Sequence, residues 1–502
     1  MNVTTLLEMA ADAFPDRLAF TAGPSRLTYA QLLAASRAAG RALRASKARH
    51  LVLLDVNSVV PPTALFGAAF AGVPYVPLNY RLTDDELGAL TARVAPALLV
   101  AGEDALPRLR AHEGVQVVAR DDFRTLLSAE EAMSVEAPDD DRLIAVQLFT
   151  SGTTGAPKAA ILRHDHLMAY ILGTVEFASA DEDEANLVTV PPYHVAAVSA
   201  ILSSTYSCRR MVMLEAFDPR AWLNTCQSER ITTGFVVPTM LTRIIDEIIP
   251  DPTRWDLSSL RSIRFGGGKM PVPVITKALE LLPHVDFTNA YGMTETSSTI
   301  CLLHPEDHRA AVSSADPAIR RRLGSVGRAI GTVEIEIRDE AGRVLPPDTV
   351  GHVYAKGRQV AGEYVDQGSL LDSDGWFWTR DRGWLDEAGY LFLDGRADDI
   401  IVRGGENISP GEIEEVLLVH PAVADVAVVA VPDEEWGDAV GAVIVMRAGA
   451  TVSAVELQAW VKDRLRSSRV PALIEFRREL PYNEVGKVLR RVIRDELKGR
   501  SA

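Results

Sequence analysis

The chain has 502 residues, of which 47% are hydrophobic and 24% charged, and its formal net charge is −16 at pH 7. This length predicts two or three domains, and the composition is ordinary for a soluble globular protein. The acidic balance argues against a nucleic-acid groove or an anionic membrane surface as the main partner. The longest apolar region, 51–78, is interrupted by polar residues and prolines, so it cannot supply the roughly 20 apolar residues that a membrane span needs.

Cysteine usage and the start of the chain indicate the compartment. The three cysteines, Cys208, Cys226 and Cys301, lie far apart without the spacing of metal ligands. A sparse, odd set of this kind is typical of a reducing cytoplasm. The first residues contain no basic leader, so we expect no signal peptide and a cytoplasmic location.

The predicted elements alternate between helix and strand through the first two thirds of the chain. Residues 27–46 place apolar side chains at helical spacing, and 50–56 form a short apolar run typical of a buried strand. The same alternation continues past residue 250. It predicts an α/β fold, with layered α/β subdomains built around parallel sheet.

The pattern changes after about residue 324. Segments 333–345 and 351–357 alternate in and out around turn residues, which predicts antiparallel strands and a small β-barrel-like subdomain. From about 398, helix and strand patterns predict a compact α+β module. The short polar junction DGRADD, 394–399, has the composition of a hinge. We therefore expect an N-terminal domain over 1–397 and a small mobile C-terminal domain over 398–502.

The stretch TSGTTGAPK, Thr150–Lys158, combines glycines with hydroxyl groups and a terminal lysine. Glycines let backbone N–H groups converge on an anion, so the stretch predicts a phosphate-binding loop. It differs from the common phosphate loop, because Pro157 separates Gly155 from the lysine and Ala159 stands where Ser or Thr would hold magnesium. A polar surface turn is the alternative, which this density of donors disfavours. The predicted phosphate ligands are Thr150, Ser151, Gly152, Thr153, Thr154, Gly155 and Lys158.

Two further stretches could hold a nucleotide. In NAYGMTETSS, 289–298, the ring of Tyr291 beside Gly292 suits stacking on a nucleobase, and Glu295 could hold magnesium together with phosphate oxygens. A capped helix start is the alternative for this stretch. In WTRDRGW, 378–384, an ionised Asp381 could accept ribose hydroxyls, whereas the alternative is a surface ion-pair cluster of little energetic weight.

The last two stretches lie near and beyond the predicted hinge. In 395–417, Arg396 is a second candidate for ribose or phosphate, and Gly404 and Gly405 would let a substrate chain pass close to the backbone. In LPYNEVGKVLRR, 480–491, Lys487 follows a glycine at a helix start. Taken alone, that lysine is more simply interpreted as a solvated side chain.

Together, in this order and spacing, the five stretches closely resemble the adenylate-forming superfamily of acyl- and aryl-CoA synthetases, firefly-type luciferases and peptide-synthetase adenylation domains. The resemblance spans nearly the whole chain. It implies that ATP and Mg²⁺ activate a carboxylic acid as an acyl-adenylate, with release of pyrophosphate. A thiol, usually of coenzyme A or a phosphopantetheine arm, then attacks the acyl carbon and expels AMP.

The resemblance also implies roles for individual residues. Lys487 matches the lysine that bridges carboxylate and α-phosphate, Glu295 the magnesium ligand, and Thr294 an α-phosphate contact. The implied adenine and ribose contacts are Gly267, Gly268, Asn289, Ala290, Tyr291, Gly292, Asp381 and Arg396. The implied acyl pocket comprises His194, Gly234, Val237, Gly266, Gly268 and Lys269. Asp398 matches the hinge residue, and the implied CoA tunnel comprises Arg403, Gly404, Gly405 and Glu406.

Departures from the family pattern concern the substrate. Lys269 stands where many relatives have a small or uncharged residue, and it either contacts substrate or lies on the surface. No aspartate follows near His194 to match the one that binds an α-amine, which favours a fatty, alicyclic or aromatic acid. A zinc site of His164, His166 and His194 is disfavoured, because no cysteine or spaced carboxylate completes the set. The TTGFVVP and GGG segments suggest an uncrowded, largely apolar pocket.

The preferred hypothesis is an AMP-forming acid–CoA ligase, because the GGEN core at 404–407 resembles that of CoA ligases. Arg403 could meet a CoA phosphate or be solvated. The alternative is a stand-alone biosynthetic enzyme that passes its acyl-adenylate to a carrier protein, an amine or another nucleophile. A catalytically silent nucleotide-binding protein is disfavoured, since every charged position that the chemistry needs is present. A homodimer is the family-level expectation for assembly.

Overall fold

The computed structural model describes residues 1–127, 135–150, 157–433, 435–482 and 488–498. Its helices are distributed along the whole chain. They are α1 (Thr4–Ala13), α2 (Tyr29–Ser46), α3 (Val60–Ala71), α4 (Asp84–Arg93), α5 (Arg120–Leu127), α6 (His164–Thr174), α7 (Val195–Tyr206), α8 (Pro219–Ser228), α9 (Pro238–Ile248), α10 (Val272–Leu281), α11 (Pro305–Ser313), α12 (Pro317–Arg320), α13 (Pro410–Leu418), α14 (Ala454–Lys462) and α15 (Arg490–Lys498).

The strands of the larger, N-terminal part build three sheets. They are β1 (Leu18–Ala22), β2 (Ser25–Thr28), β3 (His50–Leu54), β4 (Tyr75–Pro77), β5 (Ala97–Ala101), β6 (Val115–Ala119), β7 (Ile144–Thr150), β8 (Lys158–Arg163), β9 (Ala185–Val188), β10 (Arg210–Met213), β11 (Thr233–Val236), β12 (Ser262–Gly266), β13 (Asp286–Met293), β14 (Ser298–Leu303), β15 (Arg328–Ala329), β16 (Glu334–Arg338), β17 (Gly351–Lys356), β18 (Glu363–Tyr364), β19 (Gly368–Ser369), β20 (Phe377–Leu385) and β21 (Leu391–Arg396). A fourth sheet contains β22 (Ile401–Arg403), β23 (Glu406–Ile408), β24 (Val423–Asp433), β25 (Gly437–Met446) and β26 (Leu473–Arg477).

Two large sheets confirm the predicted layered α/β class. Among the described residues, one sheet has nine strands in the order β15-β14-β13-β12-β11-β9-β10-β1-β2, and the other has eight in the order β19-β18-β8-β7-β4-β3-β5-β6. The central neighbours β13, β12, β11, β9, β10 and β1 run parallel. Because the carboxyl ends of parallel strands meet at one edge, the loops after β11, β12 and β13 are gathered there.

Apolar helices join the two sheets. The helix α3 is buried along nearly its whole length and belongs to the largest hydrophobic cluster, with α1, α2 and α7. The helix α2 begins with a capping box between Thr28 and Gln31, which satisfies backbone groups at the helix start. A second cluster packs α8, α9 and α10 against one face of the nine-stranded sheet. The opposite face of the nine-stranded sheet therefore faces the other layers of the N-terminal part.

The third sheet confirms the predicted antiparallel strands after residue 324, in the order β16-β17-β20-β21. Residues from 401 onward form the fourth sheet and bury a hydrophobic cluster of their own, which contains Ile401, Val428 and Ile444. Between these sheets lies a short 3₁₀ turn, Ala397–Asp399, at the place of the predicted hinge. In the described part of the chain, no helix combines the length and the apolar character that crossing a membrane requires.

Candidate active site

The two ends of the predicted phosphate loop meet as partners in an antiparallel pair. Thr150 ends β7 and Lys158 begins β8, and the Thr150 hydroxyl donates to the Lys158 carbonyl oxygen at 3.4 Å. Arg93 fixes the same end of β8 by donating to the Pro157 carbonyl at 2.7 Å. The described strands β7 and β8 are thus paired up to the residues that flank the predicted loop. The predicted ligands Ser151, Gly152, Thr153, Thr154 and Gly155 lie outside the described residues.

Lys158 and the predicted magnesium ligand Glu295 approach the same side chain. The Lys158 ammonium lies 5.8 Å from the ring centre of Tyr364 and 3.5 Å from the Gln367 amide oxygen. The Tyr364 hydroxyl donates to the Glu295 carboxylate. Burial, followed by the charge of Glu295, raises the pKa of Tyr364 above its ordinary value, so the hydroxyl stays a proton donor.

The turn that carries Glu295 is held by backbone contacts. Thr294–Thr296 form a 3₁₀ turn directly after β13, and the Glu295 carbonyl accepts the N–H groups of Ala361 and Gly362 at 2.9 Å each. The preceding strand leaves no room for a side chain at Gly292, where a Cβ would lie 1.8 Å from the Ser298 carbonyl oxygen. The Met293 N–H donates to the Thr296 hydroxyl at 3.1 Å, so the turn is capped as in the alternative, but it is a single 3₁₀ turn and no longer helix follows.

A second group joins Tyr291, Asp381 and Arg396. The Tyr291 hydroxyl donates to Asp381 Oδ2 at 2.5 Å, and Arg396 Nη1 donates to Asp381 Oδ1 at 3.0 Å and to the Thr379 carbonyl at 3.2 Å. Asp381 on β20 and Arg396 on β21 are cross-strand partners, which explains their closeness despite their distance along the chain.

The electrostatics of this second group favour a charged Arg396 beside Asp381. Burial alone would lower the pKa of Arg396, but the Asp381 carboxylate more than offsets it, so the pKa is raised. Burial and then Asp381 raise the pKa of Tyr291. A carboxylate has about four acceptor positions, so Asp381 keeps capacity for the hydroxyls of a ribose beside its two present donors. The ion pair is largely shielded, unlike the surface cluster that was the alternative.

The glycine turn Gly266–Gly268 follows β12 and passes next to β13. Gly266 pairs with Ala290, and a Cβ at Gly266 would lie 2.2 Å from the Ala290 carbonyl oxygen. Gly267 has φ +81°, and both Gly267 and Gly268 are exposed. The turn thereby offers open backbone at the carboxyl edge of the parallel strands, next to Asn289 and Ala290, where a nucleoside or acyl group could lie.

The predicted acyl-pocket residues do not all point the same way. His194 precedes α7 with its ring 4.6 Å from that of Tyr193, and Val237 lies beside the Gly267 backbone. Gly234 instead faces the buried ring of Trp222, 3.5 Å from where a Cβ would be. Since side chains alternate along β11, its neighbour Phe235 faces the opposite side. This orientation favours Phe235 over Gly234 as a pocket-lining residue.

Lys269 contacts the C-terminal part of the chain. Its ammonium forms an ion pair with Glu415 on α13, and the two side chains are 48% and 61% exposed. The structure thus favours the surface alternative for Lys269 over contact with an acyl group.

The predicted tunnel residues form a tight hairpin. Arg403 pairs with Glu406, and the intervening Gly404 and Gly405 have φ +57° and +81°. Such values favour glycine. The Gly404 N–H donates to the Trp436 carbonyl at 2.8 Å. Glu406 forms an ion pair with Arg469, which fixes the hairpin to the C-terminal unit.

Two charged residues connect the sheets at the predicted hinge. Asp398 lies 3.6 Å from Arg380, which has φ +64° although it is not glycine. A residue in this backbone conformation inside a strand is strained. Arg490 contacts Asp399 at 3.9 Å and Glu414 at 2.6 Å. Lys487, three residues earlier, lies outside the described residues.

Sequence reasoning missed Tyr364, Arg380 and Trp436. Tyr364 is 69 residues from its partner Glu295, and no local pattern marks it. Arg380 lies next to Asp381 in the motif WTRDRGW, but nothing in the motif indicates a role for it. Trp436 could have been noticed as a tryptophan in a polar turn, DEEWGD, but nothing in the sequence connects it with Gly404.

The donor chemistry around Glu295 fits a magnesium ion held mainly by a nucleotide. Among the described residues, no group of three or more His, Cys, Asp or Glu side chains converges as a metal site. Mg²⁺ commonly uses one or two carboxylates together with substrate phosphates. Glu295, beside the end of the phosphate loop, could supply that carboxylate.

Comparison with known families agrees with this geometry. The model of the AMP-binding enzyme family matches residues 7–365, and that of the AMP-binding enzyme C-terminal domain matches 412–487. The chain belongs to the AMP-binding enzyme family. The matches cover both the phosphate-loop segment and the segment that ends at Lys487.

Similar proteins include two curated relatives and a solved structure. The chain is 32% identical to a feruloyl-CoA synthase of Amycolatopsis sp over 96% of each chain. It is also 32% identical to the fatty acid–[acyl-carrier-protein] ligase ScoC of Streptomyces coeruleorubidus, over 95% of this chain and 92% of ScoC. The o-succinylbenzoate CoA synthetase of Bacillus subtilis, solved with its acyl-adenylate intermediate, superposes with a TM-score of 0.83 at 29% identity over 98% of each chain.

This AMP-binding enzyme is an AMP-forming acid–thiol ligase. A further structure of the o-succinylbenzoate CoA synthetase of Bacillus subtilis contains ATP and a magnesium ion.

Proposed function

We propose that one site, assembled from the five motif stretches, performs both half-reactions of the acid–CoA ligase. The observation that carries this proposal is the pair of contact chains Lys158–Tyr364–Glu295 and Tyr291–Asp381–Arg396. Tyr291 and Glu295 belong to one strand–turn segment, so the two chains lie side by side. They would hold the phosphate and nucleoside ends of one ATP molecule.

In this proposal each motif acts on a different part of ATP. The loop from Thr150 to Lys158 binds the β- and γ-phosphates, which leave together as pyrophosphate. Glu295 would hold Mg²⁺ together with phosphate oxygens, whose charge a bound ion would neutralise. Tyr291 and the glycine turn contact the adenine, whereas Asp381 accepts the ribose hydroxyls beside its ion pair with Arg396. Thr294 contacts the α-phosphate.

Positive charge is required where the carboxylate meets the α-phosphorus. Two anions must approach each other, and Lys487 would bridge them at this point. Preorganised charge of this kind is typically worth a few kcal/mol of barrier. The carboxylate oxygen bonds to the α-phosphorus as the bond to pyrophosphate breaks. In the second step the thiol sulfur bonds to the acyl carbon, loses its proton and expels AMP.

The two steps need different parts of the C-terminal unit, so we propose a domain boundary at 397/398 with rotation about Asp398. In one orientation the unit presents Lys487, and in the other it presents the Gly404–Gly405 hairpin to a thiol tunnel. The short turn at Ala397–Asp399 supports this, because a few residues at the end of an element suffice to absorb a rotation.

The acid is proposed to be an aromatic, alicyclic or fatty carboxylic acid. Phe235 on β11, together with the open glycine turn, supports a pocket with an apolar wall. The feruloyl-CoA synthase relative carries an aromatic acyl group in its name. We further propose a cytoplasmic location and a homodimer, both on family grounds.

Transfer to a carrier protein is the second candidate for the thiol step. It is favoured by one observation, the 32% identity to the fatty acid–[acyl-carrier-protein] ligase ScoC. Both acceptors present the same phosphopantetheine thiol, and they differ in what surrounds it.

The test is a product assay with ATP and Mg²⁺ across aliphatic, alicyclic, aromatic and β-amino acids. Each acid is run with coenzyme A, with a phosphopantetheinylated carrier protein, and with neither. The proposal expects a burst of pyrophosphate without thiol, and steady formation of acyl-CoA and AMP with coenzyme A. Steady turnover with the carrier protein but not with coenzyme A would favour the second candidate, transfer to a carrier protein. Pyrophosphate release indifferent to either thiol would refute both.

A further inference from the structure

Arg264 lies at an unusual place for a charged side chain. It is on β12, which has three strands on one side and five on the other in the nine-stranded sheet. Its neighbours Ile263 and Phe265 are buried against α8–α10, whereas Arg264 is exposed. Since alternate residues of a strand face opposite sides, Arg264 points away from that helical core. An exposed side chain on so central a strand indicates solvent-filled space inside the molecule.

This space adjoins the reaction site. Arg264 pairs across the sheet with Phe235 on β11 and Thr288 on β13, and two residues further along the strand Gly266 pairs with Ala290. A strand rises about 3.3 Å per residue, so Arg264 lies about 7 Å from Gly266 on the same face. The same face therefore carries the open glycine turn, then the apolar ring of Phe235, and then a cation.

In the part of the chain that the structure describes, no acidic side chain acts on the positive charge of Arg264, and the charged or titratable groups near it are Tyr170 and Arg209. The nearby Arg209 is neutralised, because Glu184 lies 2.7 Å from it. The protein atoms that surround this solvent-filled space desolvate the guanidinium and lower the pKa of Arg264, and the phenol of Tyr170 is a nearby group that favours its charged form. Tyr170 in turn donates to the Thr299 hydroxyl at 3.5 Å. A cation removed from bulk water without a counter-ion is costly, and an anionic ligand would offset that cost.

We propose that Arg264 determines substrate specificity by binding a second carboxylate, at the end of the acid remote from the reacting one. The substrate would be a diacid with an apolar middle that packs on Phe235. Its free carboxylate would accept hydrogen bonds from the Arg264 guanidinium, with Tyr170 as a further polar neighbour. The inference rests on the proposed function. It replaces the expected largely apolar pocket with a pocket that has an apolar wall and a cation at its far end.

The test uses pairs of acids that share a carbon skeleton. Octanoate is compared with octanedioate, and 3-phenylpropanoate with its para-carboxylate, each as kcat/KM for acyl-CoA formation. Wild type is expected to prefer the diacid of at least one pair by tenfold or more. The variant Arg264→Gln is expected to lose on the order of 100-fold on that diacid and to leave its monoacid within about twofold, since a charge-assisted hydrogen bond is lost only by the diacid.

Two further variants separate specificity from folding. Arg264→Glu should discriminate against the diacid more strongly and improve turnover of the matched ω-amino acid, 8-aminooctanoate. Arg261→Gln is the matched control, because Arg261 is 54% exposed, precedes β12 and is already paired with Glu184 and Asp183. This control should leave the preference between the two acids of a pair unchanged.

The outcomes distinguish the inference from the proposed function. The role of Arg264 would be overturned if wild type used monoacids as well as diacids, or if Arg264→Gln lost equal kcat/KM on both. Either result would leave the ligase function intact. No acyl-CoA from any acid would overturn the proposed function, and this inference with it.

Discussion

At the scale of single residues, Tyr364 connects two motifs that the sequence presents separately. Its hydroxyl donates to the Glu295 carboxylate and its ring faces the Lys158 ammonium. The phosphate loop and the predicted magnesium ligand thus share one aromatic neighbour. In the proposed site, this contact would make Tyr364 a positioning residue that orients Glu295 toward the metal and the phosphates.

Replacing Tyr364 with phenylalanine removes only the donor. We expect kcat/KM for MgATP in the Tyr364→Phe variant to fall about tenfold, and the Mg²⁺ concentration for half-maximal rate to rise, because a hydrogen bond to a charged group contributes about 1.5–3 kcal/mol. Tyr354→Phe, on β17, is the control and should behave as wild type. Unchanged Mg²⁺ dependence in Tyr364→Phe would contradict the positioning role.

His164 predicts a pH dependence of stability. It is 1% exposed and accepts the Val3 N–H at 3.4 Å, and burial lowers its pKa to about 4 from about 6.5. The unfolded chain therefore binds a proton first as pH falls, so stability is lost between pH 6.5 and 4 by up to roughly 3 kcal/mol.

Thermal unfolding between pH 7.5 and 4.5 measures this effect. The melting temperature of His164→Gln should fall less steeply with decreasing pH than that of wild type, whereas His304→Gln, at an exposed histidine, should follow wild type. Parallel slopes for wild type and His164→Gln would mean that His164 does not titrate as described.

At the scale of elements, the sequence predicted most of what is local. Periodicity predicted the alternating α/β part, the antiparallel strands β16 and β17, and the later α+β elements, because side-chain spacing reports directly on helix and strand. The motifs predicted that Asp381 and Arg396 share a ligand, and the pairing of β20 with β21 brings them together.

The sequence could not predict which side chains of distant strands face the same side, because this depends on the register between those strands. Phe235 rather than Gly234 faces the same side as Arg264, because β11 and β12 pair with Phe235 opposite Arg264. A one-residue shift would reverse both faces. The partners of Tyr364 and of Lys269 likewise come from chain packing, which no local pattern encodes.

The Gly404–Gly405 hairpin gives a prediction for the thiol step. In Gly404→Ala the new Cβ would lie 2.8 Å from the Trp436 ring, at a residue with φ +57°. The hairpin must shift, so we expect acyl-adenylate formation to stay near the wild-type rate and the CoA-dependent step to slow by about tenfold or more.

Gly389→Ala is the matched control for backbone strain, because Gly389 has φ +80° with open space around it. Both variants lose stability, but Gly389→Ala should leave the ratio of the two step rates unchanged. Equal effects of the two variants on that ratio, measured by quenched flow, would remove the hairpin from the thiol step.

At the scale of the whole molecule, charged contacts connect the N-terminal part to the C-terminal unit. Lys269 pairs with Glu415, and Arg380 lies 3.6 Å from Asp398 at the hinge turn. Both pairs are largely exposed, so each contributes at most about 1 kcal/mol. Weak contacts of this kind are compatible with the proposed rotation of the unit, because they could hold one orientation and still be broken.

Reversing one charge should therefore change the balance between the half-reactions rather than stability. We expect Lys269→Glu to alter the ratio of adenylation to thioester rates by up to about fivefold, with less effect at high salt. The double variant Lys269→Glu/Glu415→Lys should restore the ratio, and Lys277→Glu, at a lysine paired only within α10, should not change it. A ratio that the double variant fails to restore would show that the pair does not set the orientation.

The most direct test of the central claim is a single-turnover quench with ATP, Mg²⁺ and the best acid, followed by addition of coenzyme A. One shared site predicts about one acyl-adenylate per chain before coenzyme A is added, and its conversion to acyl-CoA and AMP in equal amounts afterwards. Absence of a stoichiometric acyl-adenylate, or an adenylate that hydrolyses without forming acyl-CoA, would contradict the account.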